Sequence, residues 1–340
     1  MSLLPVTRRD VDLCQFDQWH PHFAAHAFAS SVSLVAPSEF VAWLRADDGV
    51  HLADDNDVVR RATHIDEAIE YDDDGWQTEL AAPLEHDALP ACAEFRAQLQ
   101  SALARLGGVC FVKLNWSAPR DASWLLGAHG ADLKFTCVDE ILLALKGSDF
   151  IAHDLEHRYE HCVDAAAVDA APPRVTVVLK PWKALRRAGE FRCFVYRRRL
   201  IGVSQRHADS CFRHLVDEKA AILGALTAFF ATHVAPQTAY ALESFVCDVY
   251  VTSARAVRIL DIAPLGVMTD SVLFTAEELA ALCGADAPPE LRIVESQHGI
   301  RPSLKSVAGL PYDLTLGAVD ACANVDALVD QLRALQSNNN

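Results

Sequence analysis

The chain has no Cys-x-x-Cys pair, no Gly-x-x-x-x-Gly-Lys-Ser/Thr loop, no Gly-x-Gly-x-x-Gly and no Gly-x-Ser-x-Gly. Ten cysteines lie singly between Cys14 and Cys322, which points to buried structural thiols rather than a zinc ribbon or a disulfide scaffold. The missing glycine loops disfavour a P-loop NTPase and a dinucleotide-binding protein, and the missing elbow disfavours a serine hydrolase. Positive charge is scarce, with 30 Lys and Arg against 46 Asp and Glu, for a net charge of −16. Such a chain repels phosphate backbones, so no nucleic acid is expected as its main partner. Long apolar runs are also missing. The best, residues 220–234, is too short to span a bilayer and reads as a core helix. The first ten residues lack the apolar stretch of a signal peptide, so a cytoplasmic chain away from membranes is expected.

What is present reads as a globular protein. Hydrophobic residues make up 51% of 340 positions and charged residues 22%, enough for two or three subdomains. Two lobes are expected, over residues 1–165 and 174–335, with an Ala/Asp/Pro-rich linker at 163–173 between them. Asp and Glu fill eleven of the thirty positions 46–75, a solvated loop or an acidic contact for a basic partner. Phe95, Leu99, Leu103 and Leu106 share a helical face over 92–106, and Gly107-Gly108 ends it. Residues 109–114 form a short apolar strand carrying Lys113, and 138–146 a helix with acids in its first turn. Residues 284–310 read as loop, and the terminal Ser337-Asn338-Asn339-Asn340 as frayed. His153, His157 and His161 repeat every fourth residue, but Gly147-Ser148 before them points to a loop of surface histidines rather than a zinc face. His20, His22 and His26 are interrupted by Pro21 and read the same way.

Nine of the thirty basic residues fall between Lys180 and Arg206, opposed only by Glu190. In an acidic chain this concentrates a positive field suited to a small anion. Residues 190–206 alternate as two strands with Arg197-Arg198-Arg199 at the turn. If the turn centres on Arg198, Glu190 faces Arg206 and shares a side with Arg192 and Ser204. Phe191, Cys193, Val195, Ile201 and Val203 then form the apolar side. The charged side is either a solvated face with a salt bridge or a floor whose Arg forks match phosphate oxygens.

Residues 244–252 and 257–262 read as a second hairpin. Closed symmetrically on the turn 253–256, it sets Asp248 directly opposite Asp261, on a face with Val246, Tyr250, Val257 and Ile259. Two facing carboxylates on an apolar surface need compensation. A divalent cation provides it, and magnesium favours one or two carboxylates plus phosphate oxygens. A Lys or Arg partner is the alternative, and a one-residue register slip removes the pairing altogether.

Ordered motifs add a family. Lys113-Leu-Asn-Trp-Ser-Ala-Pro-Arg-Asp-Ala, Glu190-Phe-Arg-Cys-Phe-Val, Leu200-Ile-Gly-Val-Ser-Gln-Arg, Asp261-Ile-Ala-Pro-Leu-Gly and Thr269-Asp-Ser-Val-Leu-Phe-Thr resemble the cell division cycle protein 123 family. Cys14-Gln15-Phe16 and Ser148-Asp149-Phe150 fit too, and the matches keep family order over roughly residues 14 to 280. The resemblance implies an α+β, ATP-grasp-type fold with nucleotide held between two α+β lobes, and ATP with magnesium as cofactors. It implies an assembly chaperone for eukaryotic translation initiation factor two that binds the factor's gamma subunit, rather than an enzyme. An ATP-grasp carboxylate–amine ligase forming an acyl phosphate, and a nucleotide-free scaffold, are the competing readings.

By position, the resemblance gives Lys113 the role of reaching the phosphates. Trp116, Ala118, Arg120 and Asp121 would line the nucleotide, and Leu179, Lys180 and Trp182 would hold the adenine. Arg192 would contact phosphate, with Asp248 and Asp261 as magnesium ligands. Hairpin geometry adds Glu190 and Arg206. The chain departs from the family pattern in three places: Ala263 replaces an Asn that supplies an oxygen, Pro181 replaces a basic residue, and His207 replaces an Asp.

Overall fold

The computed structural model describes residues 5–28, 31–46, 92–123, 133–166 and 174–300. The acidic run from 47 to 75, linker residues 167–173, residues 301–310 and the terminal Ser337–Asn340 expectations lie outside these.

The chain opens with α1 (Arg8–Leu13) and α2 (Phe16–Phe23), then β1 (Val32–Val35) and α3 (Ser38–Arg45). α4 (Ala93–Arg105) buries Phe95, Leu99, Ala102 and Leu103, the face its spacing predicts. It stops where Gly107 and Gly108 take φ of 82° and 79°, and the Gly108 N–H donates to the Leu103 carbonyl at 3.0 Å. β2 (Cys110–Lys113) follows. α5 (Val138–Lys146) starts on the Glu140 carboxylate, which accepts from the Thr136 N–H at 2.6 Å and the Cys137 N–H at 3.3 Å. α6 (Asp149–Glu156) is capped by Ser148, whose hydroxyl accepts from the Ile151 N–H at 3.3 Å. The loop expected around His153 is therefore a helix: a good N-cap outweighs the Gly147 that precedes it.

β3 (Thr176–Pro181) lies between β1 and β2, antiparallel to both. The remaining strands, β4 (Glu190–Tyr196), β5 (Arg199–Gln205), β6 (Phe245–Val251), β7 (Val257–Pro264) and β8 (Glu290–Arg292), make a second sheet of order β7-β6-β4-β5-β8. Only β8 runs parallel to its neighbour. It corrects the loop expected from residue 284 onward, since Leu291 is buried against the sheet. α7 (His214–Phe229) continues as a π turn over Phe230–Val234, covering the apolar run noted at 220–234. α8 (Ala276–Gly284) lies along β5. Among the described residues no helix is long and apolar enough to cross a membrane.

The architecture is α+β with two sheets and separate cores. The cores cross the expected division between lobes in both directions. Phe16, Trp19 and Phe23 pack into the second sheet's core, while Val177 and Leu179 pack into the first. The nine described cysteines are free, and Cys14, Cys110, Cys193 and Cys247 are fully buried.

Candidate functional site

The two hairpins build one polar row across the second sheet. β6 and β7 pair Asp248 with Asp261, β4 and β6 pair Arg192 with Asp248, and β4 and β5 pair Arg192 with Ser204. Arg206 also lies beside Glu190, its N–H donating to the Glu190 carbonyl at 3.0 Å. The expected cross-strand pairs therefore form. The expected faces are partly wrong, because each hairpin carries a bulge that flips the alternation. In the first, the register shifts beside Val195, so Leu200 joins the core with Phe191 and Cys193 while Ile201 joins Phe194 and Phe274 on the other face. In the second, Leu260 is the extra residue, and Val257 and Ile259 enter the core that excludes the aspartates. Val246 and Ala263 remain beside the aspartates.

Both carboxylates have cationic partners in the protein. The side-on fork of Arg192 grips Asp248, with Nε and Nη2 each donating at 2.8 Å, and Nη1 donates to the Asp270 carbonyl at 2.6 Å. Arg206 Nε lies 3.4 Å from the same carboxylate but, though buried, makes no hydrogen bond. Burial opposes the charge of Asp248, yet Arg192 and then Arg206 hold its pKa well below the usual carboxylate range. Burial, then Arg192, pushes the Arg206 guanidinium down to about 10.

Asp261 is held from the other sheet. Lys113 Nζ, fully buried on β2, donates to its two oxygens at 2.6 and 2.5 Å. This ion pair ties the sheets together. Lys180 sits behind it, donating to the Leu260 carbonyl at 3.0 Å, over the Phe16 ring at 4.6 Å. Burial, then Lys113, pushes its ammonium down to about 7.

In front of the row is a cleft of about 430 Å³. Trp116, Ala118, Arg120, Arg192, Arg206, Asp248 and Asp261 line it, so seven of the expected residues converge there. Lys113 reaches it through Asp261. Leu179, Lys180 and Trp182 lie on or just past β3, outside the cleft lining. The β1 pairing ends at Val32–Leu179, while β2 continues beside Lys180 and Pro181. Trp182 has Lys134 Nζ 5.1 Å from its ring centroid. Glu190 turns to His207 at 3.2 Å. Asp121 points to the start of α6, where its carboxylate accepts from the Ser148 hydroxyl and the Asp149 N–H, both at 2.6 Å. There it completes a helix N-terminus.

The residue-by-residue reading missed the opposite wall. His153, Asp154, Arg158 and His161 line the cleft from α6 and the turn after it. The fourfold spacing of the histidines was the signal, obscured by reading their segment as loop. Asp154 is buried and accepts from the Ser117 N–H at 2.8 Å and hydroxyl at 2.9 Å. Burial outweighs those bonds and pushes its carboxyl up to about 6. Asp270 and Thr269, inside a motif already noted, complete the rim.

Comparison with known proteins places this chain in a family. The sequence model of the D123 family matches residues 19–320. The chain is 37% identical to the "Translation initiation factor eIF2 assembly protein" of Danio rerio, over 95% of this chain and 94% of that one. It is 31% identical to "Cell division cycle protein 123" of Candida glabrata, over 88% and 84%. Among solved structures, Cdc123 from Schizosaccharomyces pombe aligns with a TM-score of 0.66 at 28% identity, covering 86% of this chain and all of that one. With its motifs in family order and the family match running through both sheets, the chain belongs to the D123 family.

Proposed function

We propose that the cleft binds ATP with magnesium, and that the protein in this form helps assemble eukaryotic translation initiation factor eIF2 by gripping its gamma subunit. The observation that carries the nucleotide reading is a local excess of positive charge. Arg120, Arg158, Arg192 and Arg206 line the cleft, with Lys113 and Lys180 behind it, against the carboxylates of Asp154, Asp248, Asp261 and Asp270. The four arginines and Lys113 face four acids, with Lys180 only partly charged at neutral pH, in a chain of net charge −16. A polyanion is the ligand this arrangement favours.

The donor set also fits a cation carried with the phosphates. Asp248 and Asp261 face each other across β6 and β7, and among the described residues each is neutralised by Arg or Lys. Phosphate oxygens drawing Lys113 would free the Asp261 oxygens for magnesium, while Asp248, still gripped by Arg192 through both oxygens, would offer its remaining lone pairs. Ala263 has no side-chain oxygen to offer, so water and phosphate oxygens would have to supply the rest. Arg206 Nε, a buried donor with no hydrogen bond, is aimed at the same row. Bound magnesium supplies charge neutralisation between carboxylates and phosphate. The protein's residues do the rest: Arg120 and Arg206 bind phosphate, Arg192 fixes the orientation of Asp248, and Leu179, Lys180 and Trp182 receive the base.

Names of the relatives support the assembly role, because the Danio rerio and Xenopus laevis proteins are each called an eIF2 assembly protein. The test is capture of purified eIF2 gamma subunit by the full chain, with and without Mg-ATP. Capture is expected, and Asp261→Ala is expected to weaken it at least tenfold. No capture under either condition contradicts the proposal.

A further inference from the structure

Outside the cleft, the loops that leave β3 and β5 carry positive charge that the nucleotide reading does not use. Residues 182–189, between β3 and β4, hold Lys183, Arg186 and Arg187 and no acid. Residues 206–213, between β5 and α7, hold a single acid, Asp209. Arg187 joins the two loops. Its Nη2 donates to both Asp209 oxygens at 2.6 and 2.7 Å, its Nη1 to the Ser210 hydroxyl at 3.2 Å and its Nε to His207 Nδ1 at 3.2 Å. The Gly189 N–H closes the turn after it by donating to the Arg186 carbonyl at 2.8 Å. These bonds hold the loops in one shape, and they also use up the local acids. Asp209 is taken by Arg187, and Glu190, where β4 begins, is turned to His207.

What is left over is cationic. Lys183, Arg186 and Arg213 are exposed, and among the described residues none of them has an acidic partner. Lys134 adds a fourth cation beside them, its ammonium 5.1 Å from the Trp182 ring centroid, again with no acid paired to it among the described residues. None of the four lines the cleft. In a chain where 46 acids outnumber 30 Lys and Arg, four cations left without carboxylates at one end of β3 make a local field that attracts acidic groups.

We propose that this surface, built from the 182–189 and 206–213 loops, docks a short acidic segment of a protein partner. A peptide can set its carboxylates on these four cations alone. Leu185, half-buried among them, offers a contact for an apolar residue between the acids. A nucleic acid long enough to cover the patch would carry its phosphates onward over the acidic remainder of the molecule, which repels them. The face of Trp182 beneath Lys134 is also closed to a stacked base. Because the surface lies outside the cleft, it does not rest on the identity of the ligand bound there.

The test uses the full chain and a fluorescein-labelled octapeptide, Asp-Glu-Leu-Asp-Glu-Leu-Asp-Glu blocked at both ends, read by fluorescence anisotropy. Binding is expected to be at least tenfold tighter than that of the same peptide with Asn and Gln for its acids, and to weaken as salt is raised. Lys183→Glu combined with Arg186→Glu should weaken it at least tenfold, while the charge-keeping pair Lys183→Arg and Arg186→Lys should stay within threefold of wild type. Carbodiimide should couple the peptide to Lys183 or Lys134, read by mass spectrometry after digestion. Absence of binding, equal binding of the neutral peptide, coupling to neither lysine, or unchanged binding to the charge-reversed protein, folded by its melting curve, overturns the proposal. Tighter binding of a labelled octauridylate, lost in the charge-reversed protein, assigns the surface to RNA and overturns it as well. Saturating Mg-ATP should leave peptide affinity within threefold, and displacement of the peptide by Mg-ATP would place it in the cleft instead, against the proposal. Peptide binding by a wild type that fails to bind Mg-ATP removes the nucleotide reading and leaves this surface standing.

Discussion

Asp248 and Asp154 line one cleft and respond to pH in opposite directions. Arg192 and Arg206 hold the Asp248 pKa below its unfolded value. Its contribution to stability is therefore complete above about pH 4 and is lost as pH falls through the folded value. Asp248→Ala leaves two buried guanidiniums without their carboxylate and is expected to cost about 3–5 kcal/mol in urea denaturation at pH 7. Asp154 is raised from 3.8 to about 6, so the folded state takes up its proton first. Stability should rise as pH falls from 7 to 5, by about 1 kcal/mol. That rise should disappear in Asp154→Asn, and an equal rise in variant and wild type would show that another group is responsible. The facing aspartates were legible as a hairpin pair, although a turn that closes one residue off the expected position and the bulge at Leu260 together produce that pairing. Their cationic partners were not, because Lys113 approaches from another sheet and no local pattern in the sequence records that.

At the level of elements, the two hairpins show what alternation can and cannot reveal. Glu190 beside Arg206 and Asp248 opposite Asp261 are the expected pairs, but the turns close one residue off the expected closing pairs, at Tyr196–Arg199 and Val251–Val257, and a bulge in each hairpin restores the register. The faces of Ile201, Val257 and Ile259 were not legible, because the bulges at 200–201 and at Leu260 carry no glycine or other marker. α4 and α5 were legible to within a residue or two from apolar spacing and terminal signals. α6 was hidden by a glycine outside its cap, and β8 by its three-residue length. The first hairpin turns through Arg197 and Arg198 at φ of 47° and 63°, positions that favour Gly or Asn. Arg198 is engaged, donating to the Gln237 and Tyr240 carbonyls at 2.6 and 2.7 Å, but Arg197 is exposed. Arg197→Gly should therefore stabilise by roughly 1 kcal/mol, seen as a higher urea midpoint at unchanged slope. Gly189→Ala should do the reverse. Its Cβ would lie 2.7 Å from the Tyr250 ring and 2.8 Å from the Val251 carbonyl, an overlap expected to cost about 1–3 kcal/mol.

For the molecule as a whole, Lys113–Asp261 is the contact through which the site couples its two sheets. A polyanion in the cleft competes for Lys113 and Arg206 while adding its own bridges between the sheets. Its affinity should fall as salt is raised, since it depends on a cationic patch in an otherwise acidic protein. The most direct measurement is calorimetric titration of ATP into the full chain, with and without magnesium, alongside Lys113→Ala and Asp261→Asn. One site is expected, tightened at least tenfold by magnesium in the wild type. Lys113→Ala should weaken binding at least tenfold, and Asp261→Asn should remove most of the magnesium effect. Absence of binding to folded wild-type protein, or binding indifferent to magnesium and to both substitutions, would contradict the assignment of the cleft to Mg-ATP.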